Sequence, residues 1–318
     1  MARPFSKEKS RFRGELWRFG ERDAFEVQWQ KLLEREEGRR EKSSPASAGT
    51  APEEPSSSWG SYAHFDQYTS GAWRERELLI SQSGSRELSL DGGQIHKDMV
   101  VVAEDVDLSL QRRIRSDHSF LAQRLRIDLC RGSRLKFILQ LESGRAILSA
   151  LRFVLAEGAL LEIILSQREL EMSRLELDLQ LQGEGSSAAA FLTCFGHGGQ
   201  HLDCRVRQYH QAGSTESRLR LKTALEGRAY SVFGGRIVME ESAMNGRASQ
   251  KAEHLMLSPE ALAHSMPELD IRTDEVSCSH GATVAPLDEA ALFYLGTRGI
   301  RRAAAKQVLR EAFLGWIS

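Results

Sequence analysis

The stretch LELDLQL, from Leu175 to Leu181, carries the clearest structural signal in this chain, because leucine alternates in it with charged or amide residues. Successive side chains of a β-strand point to opposite faces, so a period of two predicts a strand with one apolar and one polar face. The same alternation recurs from about residue 88 onward, at Leu125–Leu129, Leu135–Leu141 and Leu219–Leu225. The body of the protein is therefore predicted to consist of short, half-buried strands.

Glycines separate these strands at near-regular distances. Gly132, Gly158, Gly183 and Gly213 follow one another at intervals of 26, 25 and 30 residues. Such spacing is typical of a solenoid, in which each coil buries its apolar face only by stacking on its neighbours. A β-sandwich also contains alternating strands with turns between them, so periodicity alone leaves both architectures open.

Both ends of the chain have helical patterns. Apolar residues recur at three- and four-residue spacing between positions 10 and 37, and the segment after them contains almost nothing to bury. The predicted division of the chain is an N-terminal helical arm, a disordered linker, a β core and a C-terminal helical region, at residues 1–37, 38–58, 59–285 and 286–318.

Pro286 and Asp288 are typical of a helix start. The last helix is predicted to pack through one apolar stripe, which comprises Ile300, Ala304, Val308, Leu309, Ala312, Phe313, Trp316 and Ile317. Two helices with a glycine between them also occur in DNA-binding proteins, but the few basic residues here favour packing or partner docking.

The charges of the chain nearly cancel. Its 318 residues include 43 basic and 44 acidic side chains, a net charge of −1, so no overall field attracts nucleic acid or a membrane surface. We expect neither as a partner. No secretory leader or run of about 18 apolar residues is visible, so the expected location is cytoplasmic. No phosphate-binding loop is present, and no nucleotide of its own is expected.

The cysteines are widely spaced, as in a chain whose thiols stay reduced. They are Cys130, Cys194, Cys204 and Cys278, and the first two are expected to be core residues. Cys278 belongs to the stretch CSHGATV, where alternation places it on the same strand face as His280, about 6 to 7 Å away along the backbone. A thiolate and an imidazole on one face can bind iron or zinc, although a lone pair of this kind is usually structural.

The stretch CSHGATV resembles the closing motif of the SufB/SufD family, the β-helical subunits of the Suf iron–sulfur cluster assembly machinery. Cys278 and Gly281 favour the SufD branch. The resemblance continues in order through Gln200-His201, Asp203, His210, Thr215, Ser217, Lys222, Phe233–Ile237, Gln250, Leu255–Ala261, Pro267–Ile271, Asp274–Val276, Phe293–Leu295 and Arg298–Ile300. It is specific from about residue 195 to residue 300 and looser back to about residue 98.

This resemblance implies a mainly β fold, a right-handed parallel β-helix with helical segments at both ends. It implies a non-enzymatic scaffold that pairs with a SufB-like subunit and binds a SufC-like ATPase. A transient iron–sulfur cluster would form at the subunit interface, with Cys278 and His280 as ligands. The expected ATPase-docking residues are Phe293, Tyr294, Leu295, Arg298, Gly299 and Ile300.

Two departures and two rival functions qualify this expectation. Ala285-Pro286 and Gly296-Thr297 replace the residues usual in the family at the turn into the helical region. A β-helical carbohydrate-active enzyme would need paired carboxylates, and the acidic residues Glu162, Glu176 and Asp178 are scattered over predicted solvent faces. The second rival is an assembly subunit that binds partners without cluster chemistry.

His197 and His201 flank two glycines, which makes a loop more plausible than a helical metal site.

Overall fold

The computed structural model describes residues 74–89, 95–116 and 120–315. The predicted N-terminal arm and linker lie outside these residues. The strands are β1 (Arg74–Ile80), β2 (Gly84–Glu87), β3 (Ile95–Val102), β4 (Asp107–Arg115), β5 (Leu121–Leu129), β6 (Arg134–Leu155), β7 (Leu160–Gln167), β8 (Leu170–Leu181), β9 (Ser187–Gly196), β10 (His201–His210), β11 (Glu216–Leu225), β12 (Tyr230–Met239), β13 (Arg247–Met256), β14 (Leu262–Ile271) and β15 (Ser277–Pro286). Two helices follow, α1 (Glu289–Thr297) and α2 (Arg302–Leu314).

The strands alternate between two parallel ladders. The first ladder runs β1-β3-β5-β6-β8-β10-β12-β14, and the second runs β2-β4-β6-β7-β9-β11-β13-β15. The long strand β6 belongs to both, because its first part pairs with β4 and β7 and its last part with β5 and β8. A chain that returns to the same ladder in the same direction after every turn is a solenoid, so the predicted parallel β-helix is confirmed.

The coils stack in register at the spacing that the glycines indicate. Leu121 pairs with Ile147 and Ile147 with Ser173, 26 residues apart in each case, whereas His201 pairs with Tyr230, 29 residues on. Gly132 adopts a φ of +66°, which favours glycine at this corner. At Gly183 a Cβ would overlap the backbone of Glu157 in the neighbouring coil.

The interior of the coils is apolar for most of its length. The four leucines of the stretch from Leu175 to Leu181 are at most 2% exposed, while the intervening Glu176, Asp178 and Gln180 lie on the outer face. Burial of each such leucine contributes about 1.5–3 kcal/mol. Cys194 lies in this core as expected, but Cys130 follows the end of β5 and is only partly buried.

The C-terminal helices follow β15 directly. The side chain of Asp288 accepts a hydrogen bond from the amide of Ala290 at 2.8 Å and caps α1. Helix α2 lies on the outer face of the second ladder, where the Arg310 guanidinium stands 4.3 Å from the centre of the Phe195 ring. Lys222 of β11 donates to the carbonyl oxygen of Phe313.

The predicted apolar stripe of the last helix is partly wrong. Ala304, Val308 and Ala312 are exposed, whereas Ala305 and Leu314 are the buried residues of α2. The buried face differs from the predicted one because α2 contacts β11 and β9 through Phe313, Leu314 and the guanidinium group of Arg310. The sequence of α2 has apolar residues on two faces of the helix, so the pattern alone does not show which face packs against the strands.

Candidate functional site

The site lies at the end of the β-helix, where β14 and β15 are the last strands of their ladders. Within the described part of the chain, neither strand has a partner on its outer edge. Such edges present unpaired backbone N–H and C=O groups. Side chains on these two strands are also more exposed than those one coil earlier, and the large exposed hydrophobic ones are Leu262, Leu269, Ile271 and Val284.

Cys278 and His280 occupy β15 and point in the same direction as two buried residues of β13. Cys278 is in register with Ala248, and His280 with Gln250. Ala248 and Gln250 are 4% and 2% exposed and face the interior of the coil. Cys278 and His280 therefore continue the interior rows onto a strand that no further coil covers in the described structure, so Cys278 is partly buried and His280 is exposed.

The thiol of Cys278 has an apolar environment on one side. It packs against the buried cluster of Ile237, Met239, Ala243 and Ala248. Burial raises the pKa of this thiol above its ordinary value, and a hydrogen bond to the Ala248 backbone offsets part of the increase. The side chain is therefore a protonated thiol at neutral pH, and a thiol releases its proton on binding a metal ion.

The ligand set in the described part of the chain is incomplete for a closed metal site. A metal or cluster needs three or four protein ligands in most closed sites. Among the described residues, no group of three or more His, Cys, Asp or Glu side chains is arranged to hold a metal ion. Within the described residues, Cys278 and His280 are therefore at most a pair of candidate ligands.

The interior beneath this pair contains polar side chains, as other coils also do, but here two of them lack hydrogen-bond partners among the described residues. Gln250 and His254 of β13 are both 2% exposed, and neither side chain has a hydrogen-bond partner in the described structure. His210 is also buried, but its ring nitrogens lie 2.7 Å from the hydroxyls of Thr215 and Ser217. In the sequence, this region is marked by polar residues at two inward positions of β13, 250 and 254, and Gln250 also belongs to the family resemblance.

The six residues expected to dock an ATPase lie on α1 and in the turn after it. Phe293 and Tyr294 are 75% and 57% exposed, and Arg298 stacks on the Tyr294 ring at 5.3 Å. Gly299 is exposed with a φ of +82° and forms the turn between the helices. Leu295 and Ile300 are half-buried, and the Ile300 amide donates to the Leu295 carbonyl at 3.1 Å.

The remaining candidates from the sequence have structural partners. His197 and His201 are separated by a turn, as expected, and the His201 ring contacts the edge of Tyr230 with centroids 4.6 Å apart. Asp178 accepts hydrogen bonds from Arg152 at 3.0 Å and Arg207 at 2.6 Å.

The other two acidic candidates are also paired with cations. Glu162 forms an ion pair with Lys136 at 3.4 Å, and Glu176 with Arg174 at 2.8 Å. Asp178 is likewise paired with two arginines. The three acidic residues therefore form ion pairs on the outer face of the coils, and none of them belongs to a pair of free carboxylates of the kind that glycoside hydrolysis needs.

In the described part of the chain, no helix is long and apolar enough to cross a membrane. Helix α1 has 9 residues and helix α2 has 13.

Comparison with known proteins gives one family. Residues 83–313 match the family model for the core domain of SufBD proteins in SUF-system FeS cluster assembly. The chain is 32% identical over 134 residues to the iron–sulfur cluster assembly protein SufD of Escherichia coli, a match that covers 42% of this chain and 32% of that protein.

Two further relatives are named iron–sulfur cluster assembly SufBD family proteins. One, from Synechocystis, is 38% identical over 96 residues, which are 30% of this chain and 21% of the relative. The other, from Mycobacterium leprae, is 30% identical over 178 residues, which are 54% of this chain and 45% of the relative. In all three cases the match covers less than half of the relative's own length.

Proposed function

The chain belongs to the SufBD core family of the SUF system, and on this premise we propose that it is a SufD-like scaffold subunit for iron–sulfur cluster assembly. In this proposal it pairs with a SufB-like subunit, binds a SufC-like ATPase and contributes Cys278 and His280 to a nascent cluster. The single observation that carries the proposal is the position of these two side chains, which continue interior rows to an uncovered end of the β-helix.

Pairing with a second β-helical subunit is supported by the two edge strands. The free edges of β14 and β15 can accept strands of a partner through main-chain hydrogen bonds. The exposed apolar side chains Leu269, Ile271 and Val284 lie beside these edges. A partner that covers this end would bury the apolar side chains and supply the ligands that Cys278 and His280 lack.

Iron and sulfide are the cargo at this interface. Cys278 would bind iron as a thiolate after release of its proton, and the uncharged imidazole of His280 would bind through one ring nitrogen. Closure of the interface excludes water and lowers the local dielectric constant, so the ligands hold the positive iron more strongly. Reopening of the interface makes His280 fully and Cys278 partly accessible again, as in the free subunit, and favours release of the cargo.

Energy for opening and closing would come from the bound ATPase, because this sequence has no phosphate-binding loop. Helix α1 begins three residues after β15 ends and carries Phe293 and Tyr294 in exposed positions. Movement of a partner attached to α1 therefore reaches β15 through Leu287 and Asp288.

The test is co-production of the chain with a SufB-like subunit and a SufC-like ATPase, followed by isolation of the complex and measurement of iron and acid-labile sulfide. We expect the complex of the Cys278→Ser, His280→Ala double variant to assemble but to hold much less iron and sulfide than the wild type. Ser279→Ala, which changes the residue between them on the opposite strand face, is the matched control. Equal cluster content in the double variant would leave a subunit that only binds partners, and failure of the three chains to co-purify would contradict the pairing.

A further inference from the structure

Gln250 is the least satisfied polar residue next to the candidate ligands. It lies on β13 in register with His280, so the two side chains project from adjacent parallel strands toward the same interior. Adjacent strands are about 4.8 Å apart, which is within the reach of a glutamine amide and an imidazole ring. Neither the oxygen nor the nitrogen of the Gln250 amide has a partner in the described structure, although the side chain is only 2% exposed.

A glycine on the opposite ladder makes room for this amide. A Cβ added to Gly235 of β12 would overlap the amide group of Gln250. On the side of the last coil, Gly235 is in register with Pro267 of β14, and Gln250 is in register with His280 of β15. The Gln250 amide therefore lies in the second-to-last coil, on the strand next to the exposed imidazole of His280.

An amide buried without partners reduces stability, so a role in packing does not explain it. A ligand histidine, in contrast, commonly donates the N–H of its second ring nitrogen to an oxygen acceptor, which fixes the tautomer and the ring orientation. The Gln250 oxygen is an unused acceptor on the side of His280 that faces away from the open end.

We propose that Gln250 is a positioning residue for His280, an inference that rests on the proposed function. Its amide oxygen accepts the N–H of one ring nitrogen, so the other nitrogen, without a proton, faces the open end where the cargo binds. The contact requires only rotation of two side chains that already share a face. Gln250 itself does not touch the cargo.

Nitrogen NMR of the histidine rings in the metal-free protein tests this directly. Spectra that correlate ring protons with both ring nitrogens, recorded well above the ordinary histidine pKa, report which nitrogen carries the proton. The His280 signals are identified by their loss in His280→Ala. We expect one tautomer to dominate in the wild type and in Gln250→Glu, which keeps an oxygen acceptor, and the preference to disappear in Gln250→Met.

Two measurements separate positioning from a structural role. Gln250→Met should be at least as resistant to denaturant as the wild type, because it removes an unsatisfied amide. Titration with Co²⁺ alone, followed by the thiolate-to-cobalt absorption of Cys278, should show an affinity lower by about 10- to 100-fold in Gln250→Met. Gln208→Met, a change of another buried glutamine that is not in register with His280, is the matched control and should alter neither the His280 spectrum nor the cobalt affinity.

Identical His280 spectra in the wild type and Gln250→Met would overturn the inference, whatever the metal result. Absence of any cobalt absorption in the wild type would mean that Cys278 and His280 do not bind a metal ion without ligands from a partner, and the iron and sulfide content of the assembled complex would then decide the proposed function. In that case the ring spectra of the metal-free protein still decide the role of Gln250.

Discussion

Cys278 stands in register with Ala248 on the neighbouring strand, so its thiol extends a buried row of the coil interior to the uncovered end of the stack. Ala248 is 4% exposed, whereas Cys278 is only partly buried. One side of the thiol therefore packs against apolar side chains, and its other side is accessible. This combination makes it accessible to a reagent, or to a partner, while its protonated form is favoured.

Alkylation of the native protein should modify Cys278 well before Cys194 and Cys204. Burial raises the pKa of Cys194 to about 12 and that of Cys204 well above its ordinary value, and both lie in the core. The pKa of Cys278 is raised as well, so its rate should continue to increase above the ordinary thiol pKa of about 8.5. Mass spectrometry of iodoacetamide-treated protein at several pH values measures this, and comparable rates at Cys194 would show that the core is open.

Stability should decrease as the pH falls from about 6.5 to about 4. Burial lowers the pKa of both His210 and His254 to about 4. Between these values the unfolded chain, whose histidines have a pKa near 6.5, binds more protons than the folded protein, so protonation favours unfolding. Over the whole range the difference corresponds to roughly 3 kcal/mol for each histidine. Chemical denaturation at pH 7.5 and pH 5 measures the loss.

Variants of the two histidines should separate their contributions. His254→Leu should reduce the pH dependence without loss at pH 7.5, because the ring of His254 has no hydrogen-bond partner in the described structure. His210→Leu should lose stability at both pH values, because it also breaks the contacts with Thr215 and Ser217. If the free energy of unfolding depends on pH in both variants as it does in the wild type, these two histidines are not the source of the pH dependence.

Gly235→Ala should destabilise the protein by about 1–3 kcal/mol, because the new methyl group overlaps the Gln250 amide. Gly281→Ala, on β15, is the control, since a Cβ there meets nothing within 4 Å and the change should stay within about 0.5 kcal/mol. Adding Gln250→Ala to Gly235→Ala should recover part of the loss, a coupling that urea denaturation of the single and double variants quantifies. Additive effects would mean that the two residues do not share this space.

Phe293→Asp and Tyr294→Asp should weaken binding of a SufC-like ATPase by at least tenfold, as expected for exposed aromatic residues that anchor an interface. The melting temperature of the free protein should not change, because both side chains are more than half exposed. Val308→Asp, at an exposed position of α2, is the control for added negative charge. Titration calorimetry measures the affinity. Equal affinities of the wild type and the three variants would mean that the ATPase docks on another surface.

Much of the fold could be predicted because the strands are half-buried. Alternation in Leu175–Leu181 identified the inward leucines correctly, and the spacing of Gly132 and Gly158 matched the coil length. The choice between β-helix and sandwich required the family resemblance, because both folds bury one face of each strand. Helix α2 shows the same limit, since an amphipathic pattern with apolar residues on two faces does not say which face meets the body.

The order of residues alone established a repeating apolar alternation, a nearly neutral chain with four widely spaced cysteines, and a thiol and an imidazole on one face of a strand. The folded chain added that this face is the interior one, that Gln250 and Gly235 lie beneath it, and that the described structure has no further coil above it. A period of two specifies which side chains share a face. Which face is enclosed, and which strand is the last, depends on register between residues some 30 positions apart, and that register is set by the packing of whole coils.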